Sequence, residues 1–166
     1  MREAQPHSQI GDTPQKDHAM TVDSATTREA NKQTLRRTMK AITAHDIDAV
    51  GAELHESVDF VLPFESSVPD GDRDSFLQLL SMMFAMFEKL ELTITNIYDL
   101  VDPNILVAQW LVDGVYHHKS VVYENQYIGV MGFRDGKLAS WRGYANPELA
   151  RAALAKLADD APAVVQ

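Results

Sequence analysis

Tyr123, Asn125 and Tyr127 recur at every second position of a β-rich run. In a strand that spacing puts all three side chains on one face. A phenol can donate a hydrogen bond to a carbonyl oxygen, and a carboxamide both donates and accepts. Aimed into an apolar pocket, such a ladder orients a ligand and polarises one of its oxygens. Gly129 and Met131 continue the same face, while Glu124, Gln126, Ile128 and Val130 take the other. A second run places Trp141, Gly143 and Ala145 together. Between the two runs lies Asp135-Gly136, a dipeptide suited to a tight hairpin turn. The chain is organised around this hairpin, from Tyr116 to Asn146.

Other residues that could do chemistry are weaker candidates. Asp113, just before Gly114, falls on the opposite parity and reaches a pocket only if a bulge turns it inward. Asp59 and Glu124 face outward by the same parity. His117 and His118 are neighbours on a strand end, so they face opposite ways and cannot share one metal. No third ligand stands at a useful spacing, and no metal site is expected. His45-Asp46 lies between helices, where Asp is an ordinary cap. The run Leu79 to Phe87 is rich in Met and Phe. It reads first as a buried helix face, and its methionines suit a malleable pocket wall.

The elements that must position these residues follow from periodicity. Met1 to about Ala25 is polar, with almost no large apolar residue, and reads as a disordered tail. Order is expected from Thr26, where Thr26-x-x-Glu29 has the form of a capping box. Leu35, Met39 and Ile42, then Ile47, Val50 and Leu54, mark two helices or one broken helix. Val58 to Leu62 is a short strand stopped by Pro63. The segment Glu65 to Gly71 is a polar loop. Asp72 caps a helix with Phe76, Leu79, Leu80, Met83, Phe84 and Phe87 on its apolar stripe. Leu90 to Leu100 and Ile105 to Tyr116 are strands, and the central hairpin follows. Asn146-Pro147-Glu148 starts a last helix that runs to about Ala158, with residues 159–166 frayed. The fold class is α+β: one domain over 26–158, an antiparallel sheet with its helices on one face.

Composition narrows the partners. The 166 residues carry a net charge of −9, so no basic surface invites nucleic acid or an anionic membrane. Apolar runs are too short to span a bilayer, and the first residues lack the apolar centre of a secretory signal. There is no cysteine, hence no disulfide framework. A cytoplasmic location is the expectation.

The order of elements and several motifs resemble the nuclear transport factor 2-like superfamily, also called SnoaL-like or ketosteroid-isomerase-like. The motifs are Phe60-x-Leu62-Pro63-Phe64, Asp102-Pro103-Asn104, Tyr123-Glu124-Asn125, and Phe133-Arg134-Asp135-Gly136-Lys137 leading into Trp141-Arg-Gly-Tyr-Ala-Asn-Pro147. They are especially similar to phenazine-biosynthesis A/B-type proteins, and the likeness covers roughly Arg28 to Leu157. The resemblance implies a curved sheet wrapped round helices as a cone, a hydrophobic small molecule at the open end, and a homodimer through the convex face. It implies an inward set of Tyr123, Asn125, Tyr127, Gly129, Met131, Trp141, Gly143, Ala145, Leu106, Ala108, Trp110 and Val112. Phe60, Leu62 and Phe64 would line the mouth or floor, and Phe76, Leu80, Met83 and Phe87 would close the cone.

The sequence departs from its relatives where they do chemistry. Matched to the steroid isomerases, the oxyanion-hole tyrosine and aspartate read Thr38 and Gly129, and the base reads Leu62. Matched to the phenazine-type proteins, the inward glutamate reads Gly143, and the assisting histidine and serine read Leu79 and Met83. The inward set offers no carboxylate. Gly129 and Gly143 either leave room for a bulky ligand or relieve strand curvature. Two functions are open. One is a cofactor-independent isomerase, cyclase or dehydratase of polyketide-, terpenoid- or steroid-like molecules, with Tyr123, Asn125 and Tyr127 catalytic and Thr38 among the binding residues. The other is a binding or dimerisation module that has lost its acids.

Overall fold

The computed structural model describes residues 15–65 and 68–158. Within them run α1 (Gln15–Thr43), α2 (Ile47–Glu53), β1 (Leu54–Val61), α3 (Arg73–Met86), β2 (Phe87–Asp99), β3 (Ile105–Tyr116), β4 (Val122–Arg134), β5 (Lys137–Ala145) and α4 (Pro147–Ala158). The fold class is α+β, as the sequence implies. Residues 1–14 of the expected tail and the expected frayed end 159–166 lie outside the described residues.

Helix α1 begins at Gln15, so Thr26 lies inside it rather than capping it. No Gly or Pro interrupts residues 15–43, and extending a formed helix backward fixes one residue per hydrogen bond gained. The helix ends where His45 takes a positive φ of 55°. Asp46 then caps α2 by accepting from the Ala49 amide at 2.9 Å. Asp72 caps α3 through the Ser75 amide at 3.0 Å. Both caps follow the expected residues. Two boundaries move: Leu54 opens β1 instead of closing a helix, and Phe87 opens β2 instead of ending α3. Both strands continue directly from a helix, so an apolar residue serves the end of one stripe and the start of the next.

The five strands form one sheet in the order β1-β5-β4-β3-β2. β2 to β5 are the expected antiparallel meander, but β1 runs parallel to β5, with Phe60 beside Trp141. The sheet is therefore mixed, not wholly antiparallel. A helical crossover and then the whole meander separate β1 from its partner, so no hairpin signal announces the pairing. β4 and β5 turn at Asp135 and Gly136, both at positive φ (53° and 73°), which a two-residue hairpin of this hand requires.

Helix α1 fixes one end of the cone. Arg28 donates to the carbonyls of Leu100 and Val101, and Asn31 donates to Pro103 O at 3.0 Å. Thr34 Oγ1 donates to Gly136 O at 2.8 Å. The β2–β3 and β4–β5 turns thus both lean on one helix. Leu35, Val50, Val58, Leu106, Met131 and Leu138 are fully buried in the described core. The opposite end holds the start of β4, the end of β5, α4 and the loop after β1.

Candidate functional site

Alternation along β3, β4 and β5 places the ladder inward. Tyr123, Asn125, Gly129 and Met131 are buried, Tyr127 is half-buried, and Glu124, Gln126 and Ile128 are exposed. Leu106, Ala108, Trp110, Val112, Trp141 and Gly143 are also buried. The register from Val115 opposite Val122 to Ile105 opposite Gly132 runs without a break, which keeps each set on its face.

Two hollows meet at the ladder. An inner one of about 100 Å³ lies between α3 and the sheet, lined chiefly by Phe60, Phe76, Leu79, Met83, Trp110 and Trp141. Leu80, Val112, Leu90, Leu92 and Ile42 complete its apolar wall. An outer one of about 50 Å³ opens by α4 and the loop after β1, against Phe64, Glu65, Asn125, Gly143 and Pro147. Leu62, Tyr123 and Tyr127 line both. The phenols thus stand at the partition between an apolar chamber and a more polar antechamber.

The tyrosine hydroxyls touch at 2.8 Å. Asn125 Nδ2 donates to Tyr123 Oη at 2.9 Å and to the Asn146 carbonyl at 3.0 Å. Its Oδ1 accepts from the Gln126 amide at 2.8 Å and from the Asn146 amide at 3.4 Å. Asn125 is therefore fully engaged with protein groups and acts as a clasp between β4 and the start of α4. Asn146 in turn caps α4 by accepting from the Glu148 amide at 3.0 Å. The polar handle shared by both hollows is the tyrosine pair.

Burial pushes the Tyr127 phenol far above its ordinary value, with smaller contributions from the neighbouring Tyr123 and from the Glu65 carboxylate. Burial also raises Tyr116, again with help from Tyr123. The neutral phenol dominates in the folded state while the unfolded phenol ionises near pH ~10. The stability held by these two groups is complete below that value and is lost as pH rises beyond it. In a titration followed by phenolate absorbance, Tyr127 is expected to stay silent through pH ~10 and to ionise only with unfolding, and Tyr116 to ionise later than an exposed tyrosine. Tyr127→Phe should shallow the alkaline loss of stability.

Several expected site residues lie elsewhere. Thr38 is buried but donates to Thr34 O at 2.9 Å, the usual back-bond of a helical threonine, and lines neither hollow. Phe87 leaves the helix and stacks on Tyr116 at 4.1 Å, away from both hollows. Met131 is fully buried and lines neither hollow, its side chain filling space beside Gly129. Asp113 is exposed on the convex face opposite Glu91 and Glu124, with no bulge there to turn it inward. The glycines do not hold open a large cavity. A Cβ on Gly129 would stand 2.8 Å from the Trp110 ring, and one on Gly143 would stand 2.9 Å from Leu62 Cδ2. Phe64, 60% exposed, sits at the rim edge-on to Tyr144.

Glu65 was not among the expected residues. Among the described residues it is the one carboxylate lining either hollow. Its polar, turn-rich loop conceals it, but it lies just past the Phe60, Leu62, Phe64 alternation that points to the mouth. Among the described residues no group of three or more His, Asp or Glu side chains could hold a metal ion. No helix among them is long and apolar enough to cross a membrane.

The chain's relatives agree with this architecture. The comparison with curated proteins finds no match. Among solved structures, the chain is similar to a candidate isomerase from Bacillus subtilis, at 22% identity and a TM-score of 0.71, covering 78% of this chain and 95% of that one. It is similar to a phenazine biosynthesis-related protein from Pseudomonas aeruginosa, at 17% identity and a TM-score of 0.68, covering 81% and 91%. An LEH-like epoxide hydrolase from M. tuberculosis matches at 17% identity and a TM-score of 0.64, covering 79% and 93%. At these identities the likeness speaks for the fold alone. The SnoaL-like domain model matches residues 35–141, from the buried stripe of α1 to the tryptophan of β5. By that match and by its cone of helices and mixed sheet, the chain belongs to the SnoaL-like domain family of the nuclear transport factor 2-like superfamily.

Proposed function

We propose that the chain binds a hydrophobic small molecule between α3 and the concave sheet face and catalyses a cofactor-independent isomerisation, cyclisation or dehydration. The observation that carries this is the Tyr123–Tyr127 hydroxyl pair at the partition of the two hollows. The pair has two hydroxyl protons. One lies in the mutual bond, and Asn125 already donates to Tyr123. One O–H therefore remains to donate to a substrate oxygen. Either hydroxyl can donate in the mutual bond; with Tyr123 as that donor, the O–H left for the substrate is that of Tyr127, whose raised phenol donates while keeping its proton. It polarises a carbonyl or epoxide and stabilises negative charge developing on that oxygen. Glu65, on the outer side of the partition with its charge felt at Tyr127, supplies a carboxylate to accept a proton from the part of a substrate that reaches past the tyrosine pair.

Tyr127→Phe tests the reading. Turnover of small ketones and epoxides is expected to fall about 10²- to 10³-fold, the effect of losing one oxyanion donor, with the fold retained. Equal turnover by the variant, or none by the wild type, rejects the enzyme. A non-catalytic binding module is the second reading. It is favoured by the inner hollow, where no carboxylate, histidine, lysine or arginine among the described residues lines the wall. Binding without turnover selects it. The convex face exposes Leu111, Val122 and Ile128, which supports a homodimer through that face. A solution mass of one chain would exclude the dimer.

A further inference from the structure

From the size and lining of the inner hollow we infer that the ligand is neutral, no larger than one six-membered ring, and carries a hydrogen-bond-accepting oxygen. This rests on the reading that a ligand oxygen meets the tyrosine pair, and adds size, charge and valence to it.

Size comes first. The inner hollow measures about 100 Å³. An engineered protein cavity of roughly 150 Å³ takes benzene. One ring therefore fills the inner hollow and reaches past the tyrosine pair into the outer one of about 50 Å³, whereas drug-sized ligands occupy roughly 300–1,000 Å³. A bulky ligand of the kind the two glycines could have made room for therefore does not fit. Their space is taken by Trp110, Met131 and Leu62. Nor do the walls yield easily. Phe60 stacks on Phe76 at 4.4 Å, Trp110 stacks on Tyr127 at 5.3 Å, and Trp110 meets Trp141 edge-on at 5.5 Å. Widening the chamber on those sides breaks ring contacts. The adaptable wall is α3, where Met83 is half-buried and unbranched.

Charge comes second. Among the described residues, apart from the two indole N–H groups, the tyrosine hydroxyls are the only side-chain N or O atoms lining the inner hollow. An ion there would lose its hydration with no partner of opposite charge. An anion would also face Glu65 across the partition. Valence comes third: the pair retains a single O–H and the two indoles add only N–H donors, so the ligand is met chiefly by donors and must offer an acceptor.

The test is calorimetric titration of the full chain with cyclohexanone, phenol, benzoate and 2-naphthol at neutral pH. Cyclohexanone and phenol are expected to bind saturably, and benzoate and 2-naphthol at least tenfold more weakly. Met83→Ala should admit 2-naphthol. If that variant does not fold, Leu79→Phe, which fills the hollow from α3, should abolish cyclohexanone binding. Wild-type binding of 2-naphthol or benzoate as tight as that of cyclohexanone overturns the inference. If such a ligand is still weakened several-fold by Tyr127→Phe, the tyrosine reading survives alone. Cyclohexanone binding that ignores Tyr127→Phe removes the tyrosine reading and, with it, the valence argument. Binding of none of the four overturns both.

Discussion

Trp110→Ala should destabilise the chain by about 3–5 kcal/mol, the range for truncating a buried aromatic. For a chain of this length that is a fall of roughly 10–15 °C in Tm. Trp110 is buried midway along β3, stacks on Tyr127 and meets Trp141. Its ring also fills the place above Gly129. Loss of the ring should merge a new void with the inner hollow and free the Tyr127 ring on one side. Added indole should therefore raise the Tm of the variant and leave the wild type unchanged. The exposed Thr93→Ala on the same sheet is the control, with an effect within about 0.5 kcal/mol.

The same site decides why position 129 is glycine. Gly129→Val in the wild type must push a methine carbon against the Trp110 ring, 2.8 Å away, and against Met131. In a Trp110→Ala background the same valine enters vacated space on a strand that favours β-branched residues. Unfolding of the four proteins in denaturant is expected to give a favourable coupling of about 1–3 kcal/mol. Additive effects would mean that the glycine serves something other than the tryptophan.

What the sequence makes legible is governed by local rules. Period-two alternation assigns Tyr123, Asn125 and Tyr127 to one face because one residue of slip would expose all three. The capping roles of Asp46 and Asp72 are equally local, since an aspartate before a helical stripe has an amide within reach. The parallel pairing of β1 with β5 is not local, since it depends on how a crossover and four strands close the sheet. The size of the hollow is not local either. Glycines at 129 and 143 read equally as room for a ligand or as curvature, and only the packed Trp110 and Leu62 show the room is taken. Glu65 escapes for a related reason. Its role depends on where a loop lands, not on any period. Asn125 shows the difference within one residue: parity points it inward, but the backbone of Asn146, brought near by β5 and α4, engages its amide.

Asn125→Leu follows from that engagement and should destabilise by roughly 2–4 kcal/mol. The leucine keeps the volume and removes every partner. Gln126 N–H, both backbone groups of Asn146 and the Tyr123 hydroxyl lose their bonds to the amide. The cost per orphaned buried group is about 1–3 kcal/mol, reduced where Asn146 can turn to water. Since the clasp holds the first turn of α4, amide exchange in residues 147–158 should accelerate before global unfolding. Asn125→Asp separates donor from acceptor. Its oxygens still accept from Gln126 and Asn146 amides, but an ionised carboxylate would face the Asn146 carbonyl and cannot donate to Tyr123. Burial and that carbonyl raise the aspartate's folded pKa above its unfolded value of about 3.9. The variant should therefore approach wild-type stability in acid, where the carboxyl is protonated in both states. It should weaken steadily as pH rises above about 4. A pH-independent deficit would show that Asn125 contributes by packing alone.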